Sequence, residues 1–426
     1  MKDALLAPLP DWDIAELQLG NGLRVVAIET PSPLLAMQLR FPGGPLFEEI
    51  GQEGITHFLE HVMLAGGTKT NPTRQARDNE AYRMIARYNY WTNTDQLCEW
   101  MLGAASRSLE MLAFMRDGVF SPAFPAHEVE AEKKVVIQEM REHVSDPKRF
   151  SQDSLINHAW SGHPISRPIL GTKESLIPLR MGDIVPHHCQ FISPNRGRLF
   201  IAGGVNVHDL LRQADDVFSG VAITSNSNLI TPPSPRGIRS GIQVIANAGL
   251  PNTHIRIGID THGLTGDSLA LDLFTNVLRN RNFYSFAGGD RNKIAYTAHT
   301  ETWFEKDFGL LIPYVITDPE NVPRVLEQIL ENMAKPISAD ELRVVREGWA
   351  LNYLESQEGV WPILEGIIND YYYHGKSKSN YGIVEEFNEI SLEEVEAVRR
   401  KLNEPKSFAV LTYGQDPGEA SLAAWN

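Results

Sequence analysis

The stretch GITHFLEHVMLAGG places His57, Glu60 and His61 within five positions. On a helix, residues four apart share one face, with Cβ atoms about 5–6 Å from each other. His57 and His61 can therefore offer two imidazole nitrogens to one Zn²⁺, which takes such ligands at about 2.0–2.1 Å. Glu60 flanks the same point, where a carboxylate can remove a proton from a metal-activated water. The plainer alternative is three polar residues on an ordinary helix. Chance H-x-x-E-H pentads are uncommon, and the flanking glycines, Gly54 and the pair Gly66-Gly67, suit a helix packed closely against other backbone.

Two histidines do not complete such a centre, because a catalytic zinc usually takes three protein ligands and one water. The stretch PAHEVEAEKKVVIQEMREHVSD supplies carboxylates on a second helix, with Pro125 near its start and Val129, Val136 and Met140 at helical spacing. Glu128, Glu132 and Glu139 all lie on it. Two turns separate Glu132 from Glu139, so both occupy one stripe. One could ligate while the other orients a ligand or the water. The residues alone do not rank Glu139 over Glu132, and a glutamate on so charged a helix more often faces water.

The elements that must position these residues follow from the pattern. LQLGNGLRVVAIET and PLLAMQLRFPGG read as strands about an Asn21-Gly22 turn. GITHFLEHVMLAGG is a helix ended by glycine. NEAYRMIARYNYWTNTDQLCEWML combines a helix with a strand, SRSLEMLAFMRDGVFSP is an amphipathic helix stopped before Pro122, and GRLFIAGGVN is a strand. Val221 to Gly241 has no periodicity and is dense in Ser, Asn, Pro and Gly, the composition of a linker. Beyond it, strands in GIQVIANAG, HIRIGID and GLLIPYVIT alternate with helices in an order like that of the first half. The fold class expected is α+β: two similar sandwich domains, each an antiparallel-rich sheet packed with helices, spanning 1–220 and 242–426 and joined by the linker 221–241.

At 426 residues the chain exceeds one ordinary core, and 42% hydrophobic with 22% charged residues is a globular composition. A net charge of −15 argues against nucleic acid as a partner, since phosphate binding needs a basic face. Cys98 and Cys189 form neither a C-x-x-C pair nor a disulfide framework, and are expected as free thiols. MKDALLAPLPDWD lacks the apolar run of a signal peptide and no 18-residue apolar segment occurs, so no membrane span is expected. A trimmed chain would read the same way, and no compartment follows.

Taken in order, these stretches resemble the pitrilysin family, the inverted-motif zinc peptidases that include insulysin and the mitochondrial processing peptidases. GITHFLEHVMLAGGTKT, NYWTNTDQLCEWML, EAEKKVVIQEM and GTKESLIPLRMGDIVPHHCQFISPNRGRLFIAGGV carry the likeness, strongly over the N-terminal half and more faintly beyond it. The resemblance implies His57, His61 and Glu139 as zinc ligands, Glu60 as general base and Glu132 as the supporting carboxylate. It implies Asn89 and Thr92 on a strand where substrate is bound as an added β-strand, although Tyr90 stands where the family prefers a small residue. An Arg–Tyr grip on the substrate falls on Arg291 and Tyr296, with Arg279 or Arg281 as alternatives for the first. A two-domain chain implies half of a clamshell chamber, completed by a homodimer or by a homologous partner chain.

Other features carry less. GGTKT lacks the first glycine of a phosphate loop, His187-His188-Cys189 lies on an apolar helix and reads as structural, and no G-x-S-x-G elbow exists. His127 and His143 flank the glutamate helix and are expected to be exposed. The function expected is zinc-dependent endopeptidase, with one Zn²⁺ per chain, acting on peptides or unfolded segments. The alternative is a peptide-binding partner subunit with little activity alone, a role for which the zinc motif need not be intact. A piece ending near Gly220 is expected to fold and to cleave poorly.

Overall fold

The structure, a computed structural model, describes residues 6–7, 9–226, 228–261, 268–286, 294–403 and 408–418. In chain order the first half contains β1 (Asp13–Gln18), β2 (Arg24–Glu29), β3 (Leu34–Pro42), α1 (Ile55–Gly66), α2 (Arg74–Arg83), β4 (Arg87–Thr92), β5 (Gln96–Ala104) and α3 (Ser108–Phe120). It continues with α4 (Ala126–Ser145), α5 (Pro147–Ala159), α6 (Lys173–Leu176), α7 (Met181–Phe191), β6 (Arg198–Gly203) and α8 (Val207–Phe218). The second half contains β7 (Gly241–Ala246), β8 (Thr253–Asp260), α9 (Leu269–Phe286), β9 (Thr297–Phe304), β10 (Gly309–Thr317) and α10 (Val322–Ala334). It ends with α11 (Ala339–Ser356), α12 (Val360–His374), α13 (Asn380–Glu389), α14 (Leu392–Leu402) and β11 (Phe408–Gly414).

The first sheet runs β1-β2-β6-β3-β5-β4 and the second β7-β11-β8-β10-β9. Apart from β1 the two orders are the same, strand for strand. Each sheet has a single parallel pair, β2 with β6 and β7 with β11, and the other pairings are antiparallel. The repeat suggested by the sequence pattern is therefore one of topology. In it α9 takes the place of α1, and it carries Phe274, Leu278 and other buried apolar residues instead of a histidine pair.

One helix and one strand are expected from NEAYRMIARYNYWTNTDQLCEWML; the structure gives one helix and two strands. Asn93 explains the extra break, because its Oδ1 accepts from the backbone N–H of Asp95 and Gln96, at 3.0 and 2.7 Å, and closes a hairpin between β4 and β5. At the Asn21-Gly22 turn only Gly22 has positive φ, at 87°.

Each sheet is packed on both faces. Leu35, Met37, Leu39, Leu97 and Met101 turn one face of the first sheet towards α1 and α3. Val26, Ile28, Ala36 and Phe200 turn the other towards Ile363, Leu364, Ile367 and Tyr371 of α12, a helix from the second half. The exchange is mutual. Leu155, Ile156, Ala159 and Trp160 of α5 cover Leu310, Ile312, Ala409 and Leu411 of the second sheet. The linker lies against this contact, with Arg239 N–H donating to Ala159 O and Trp160 Nε1 to Gly237 O. Among the described residues no helix is long and apolar enough to cross a membrane.

Candidate metal centre

Helix α1 sits between the first sheet and α4 and is buried over most of its circumference: Phe58, Leu59, Val62 and Met63 all enter the core. Two glycines allow the fit. Gly54 precedes the helix at φ 85°, and a Cβ there would lie 2.6 Å from Leu170 O. At Gly66, in the last turn, a Cβ would meet Ala123 O at 2.1 Å. The close backbone approach expected from the flanking glycines is present at both ends. Glu48, which nothing in the motif signals, anchors the N-terminus by accepting from Gly54 N–H at 2.8 Å and Thr56 N–H at 3.0 Å. Burial pushes its carboxyl up to about 7 in spite of those bonds.

His57 and His61 stack edge to face with ring centroids 4.7 Å apart, the i, i+4 neighbours that the spacing requires. On α4 the stripe carrying Glu132 and Glu139 faces them. Glu139 Oε2 lies 3.6 Å from His57 Nε2 and 3.3 Å from His61 Nε2. His61 Nδ1 donates to Glu132 Oε2 at 3.0 Å. One ligand atom from each of His57, His61 and Glu139 falls within 4.8 Å of the others. Three lone-pair donors directed at one another are satisfied only by a cation among them, and two imidazoles with a carboxylate suit zinc. The bond to Glu132 fixes the His61 tautomer and leaves Nε2 free to ligate. The Nδ1 of His57 is buried without a partner.

The electrostatics fit a cation as well. Burial first, then the neighbouring His61, lowers His57 to about 4, so it is a neutral imidazole at neutral pH. Burial also opposes charge on His61, but Glu132, Glu139 and Glu60 outweigh it and hold the ring up at about 9. The hydrogen bond from His61 holds Glu139 below the usual carboxylate range. Glu60 is raised by burial, against a hydrogen bond from Thr92 Oγ1 at 2.6 Å. Three carboxylates thus crowd two imidazoles in a largely buried place.

The other expected residues are placed as follows. Thr92 lies on β4, the open edge of the first sheet, and its hydroxyl is engaged with Glu60. Alternation sets Tyr88, Tyr90 and Thr92 towards the helices and Asn89 on the opposite face, exposed beside Trp100. Asn89 thus shares the edge strand but not the face of the donor cluster. Tyr90 is accommodated by a buried ion pair: its hydroxyl accepts from Arg77 Nη1 at 3.1 Å, while Arg77 Nη2 donates to Glu99 at 2.9 Å. Tyr296 is exposed at the start of β9, and its hydroxyl donates to Asp318 at 3.1 Å. Arg291 lies outside the described residues. Of its alternatives, Arg281 is buried and bound to Glu341 and three backbone carbonyls, whereas Arg279 holds Thr300 O and Asn276. His187 and His188 are buried on Thr56 and on Val119 O, Cys98 and Cys189 are free, His127 is exposed, and His143 pairs with Asp153 at 2.7 Å.

Known proteins agree in order along the chain. Residues 24–173 match the model of the insulinase peptidases, family M16, and residues 182–346 match that of the M16 inactive domain. A protein of Rickettsia bellii named as an uncharacterized zinc protease is 24% identical over 378 residues, covering 86% of this chain and 90% of its own. Subunit 1 of the bovine mitochondrial cytochrome b-c1 complex is 24% identical over 392 residues, 88% of this chain and 79% of its own. The beta subunit of the Dictyostelium discoideum mitochondrial-processing peptidase is 23% identical over 411 residues, 93% and 87% of the two chains. The same fold is seen in a protease from Helicobacter pylori, with a TM-score of 0.83 at 17% identity over 95% of this chain and 100% of that one. With both halves matched in sequence and in topology, this chain belongs to the M16 insulinase family of peptidases.

Proposed function

We propose that the chain is a zinc-dependent metalloendopeptidase, and the observation that carries the reading is the convergence of His57, His61 and Glu139 with Glu60 beside them. Zinc held by those three donors would supply a Lewis acid and a water of lowered pKa. Glu60, held by the Thr92 hydroxyl, takes the proton of the attacking water and returns it to the leaving amine. Its burial favours the protonated form, which suits a group that must first accept a proton and then donate it. Glu132 keeps His61 turned to the metal side throughout.

An extended peptide adds to the open edge of β4 and brings its carbonyl past Glu60. Tyr296, exposed on the second half, is the candidate for a substrate contact at its hydroxyl. A dimer, with a second copy or with a homologous chain, closes the chamber around short or unfolded segments. The names of relatives fit both a zinc protease and a subunit of a larger complex. The intact donor set favours the first.

The test is metal analysis together with cleavage of a peptide library, with and without chelator, on the wild type and on Glu60→Gln. Expected are about one zinc per chain, cleavage abolished by chelator, and a Glu60→Gln protein that keeps zinc yet loses turnover by several orders of magnitude. A zinc-loaded wild type that cleaves nothing, alone or as a dimer, makes the chain a peptide-binding partner subunit instead.

A further inference from the structure

Beyond the donor cluster, between the two halves, lies a cavity of about 910 Å³. Its near wall begins where the centre ends. Asn93 and Thr94 follow Thr92, which holds Glu60, and Met140 follows Glu139 on α4. One turn further along α4, His143 and Val144 line it, and Val144 is an aliphatic side chain left 55% exposed. Ile156 and Leu170 extend the apolar wall. The far wall belongs to the second half: Gln243 and Ile245 on β7 and Trp303 on β9. The Oε1 atom of Gln243 is buried with no hydrogen-bond partner, and a buried acceptor left unpaired asks for a donor from a ligand.

Size, chemistry and continuity together identify the occupant. Cavities of roughly 300–1,000 Å³ enclose small ligands, so this one admits a bulky side chain with some of its flanking backbone. Its lining is mostly apolar. The charged groups around it are Arg141, Arg167 and Lys173, with Asp153 already paired to His143, and this balance disfavours a basic side chain. A strand paired with the open edge of β4 leaves the sheet at Asn93 and Thr94, at the cavity wall. We propose that this cavity is the specificity pocket of the peptidase, selecting substrates with a bulky apolar or aromatic residue flanking the scissile bond, and that the metal-free half supplies its far wall. The proposal rests on the peptidase reading and deepens it.

Binding separates the two. Glu60→Gln protein is titrated with a peptide carrying 4-nitrophenylalanine, which quenches tryptophan fluorescence at short range. Saturable quenching is expected, and Trp303→Phe should remove most of it. A phenylalanine peptide should displace the probe at least about 10-fold better than its alanine or lysine counterparts. Val144→Asp, a change at the surface of α4 checked by circular dichroism, should erase that advantage. In the wild type, library cleavage should be enriched for bulky apolar residues at one flanking position, and Val144→Asp should flatten the enrichment. Quenching untouched by Trp303→Phe, or equal displacement by phenylalanine and lysine peptides, would overturn the pocket. Saturable quenching through Trp303 with no cleavage by the zinc-loaded wild type upholds the pocket and overturns the peptidase reading.

Discussion

Glu132 and Glu139 share a stripe of α4 but touch different atoms. Glu139 faces the Nε2 atoms of both histidines, whereas Glu132 accepts from the far nitrogen of His61. Glu139→Gln should therefore lower zinc affinity sharply, since it removes one of three donors. Glu132→Gln should lower it by roughly 10–100-fold, the usual loss when a supporting hydrogen bond to a ligand goes. A metal-competition titration gives the order directly, and the reverse order would exchange the two roles. Thr92→Val should leave zinc content unchanged and slow turnover, because only the hydroxyl that aims Glu60 is lost. Wild-type turnover in that variant would mean that the hydroxyl has no part in orienting the base.

At the scale of elements, the open edge of β4 must stay flat and in place beside α1. Arg77 of α2 secures it from behind: fully buried, it bonds Tyr90 of β4 and Glu99 of β5 and lies over the rings of Tyr88 and Phe114. Gly118 of α3 makes room for it, for a Cβ there would come within 2.3 Å of the guanidinium. Arg77→Met strands the Glu99 carboxylate in the core and should cost about 3–5 kcal/mol in denaturant unfolding. Adding Glu99→Leu should recover much of that loss, because both charges are then gone. No recovery in the double variant would show that Arg77 acts through packing on the rings instead.

The whole molecule is tied together by exchanged helices and by one polar contact. A piece ending near Gly220 loses α12 from the first sheet and bares the apolar face of α5, so the expectation that it folds on its own gives way. Such a piece should expose apolar surface and aggregate, which dye binding and light scattering would report. In the polar contact, Tyr372 Oη of α12 lies 2.5 Å from Glu305 Oε2 and 3.1 Å from Asp95 Oδ2. A phenol has one proton, so both carboxyls are satisfied only when one of them is protonated. Burial and the charge of Asp95 raise Glu305 to about 7, and burial raises Asp95 against the pull of nearby Arg40, itself paired with Glu365. The folded state thus retains a proton that the unfolded chain releases near 4.5, and stability falls as pH rises from there to about 7. Glu305→Gln should flatten this slope and stabilise the protein near pH 8 by on the order of 1 kcal/mol. A wild type and variant with parallel melting curves from pH 5 to 8 would remove the contact from the account.

The i, i+4 histidines, the adjoining Glu60 and the glutamate stripe were determined by the sequence itself, because helical periodicity turns spacing into a shared face without reference to the rest of the chain. The alternation of strands and the linker are local in the same sense. The likeness of the two halves could be read as an order of elements, and the sheets show it as an identical strand order. Which glutamate meets the metal side was not local: Glu132 and Glu139 share periodicity, and only the seating of α4 against α1 tells their partners apart. Glu48 at the helix start, Arg77 behind the edge strand and the exchange of α5 and α12 join residues far apart in the chain. The cavity between the halves is of the same kind. No spacing encodes these contacts; they arise when apolar faces from both halves must each find a cover.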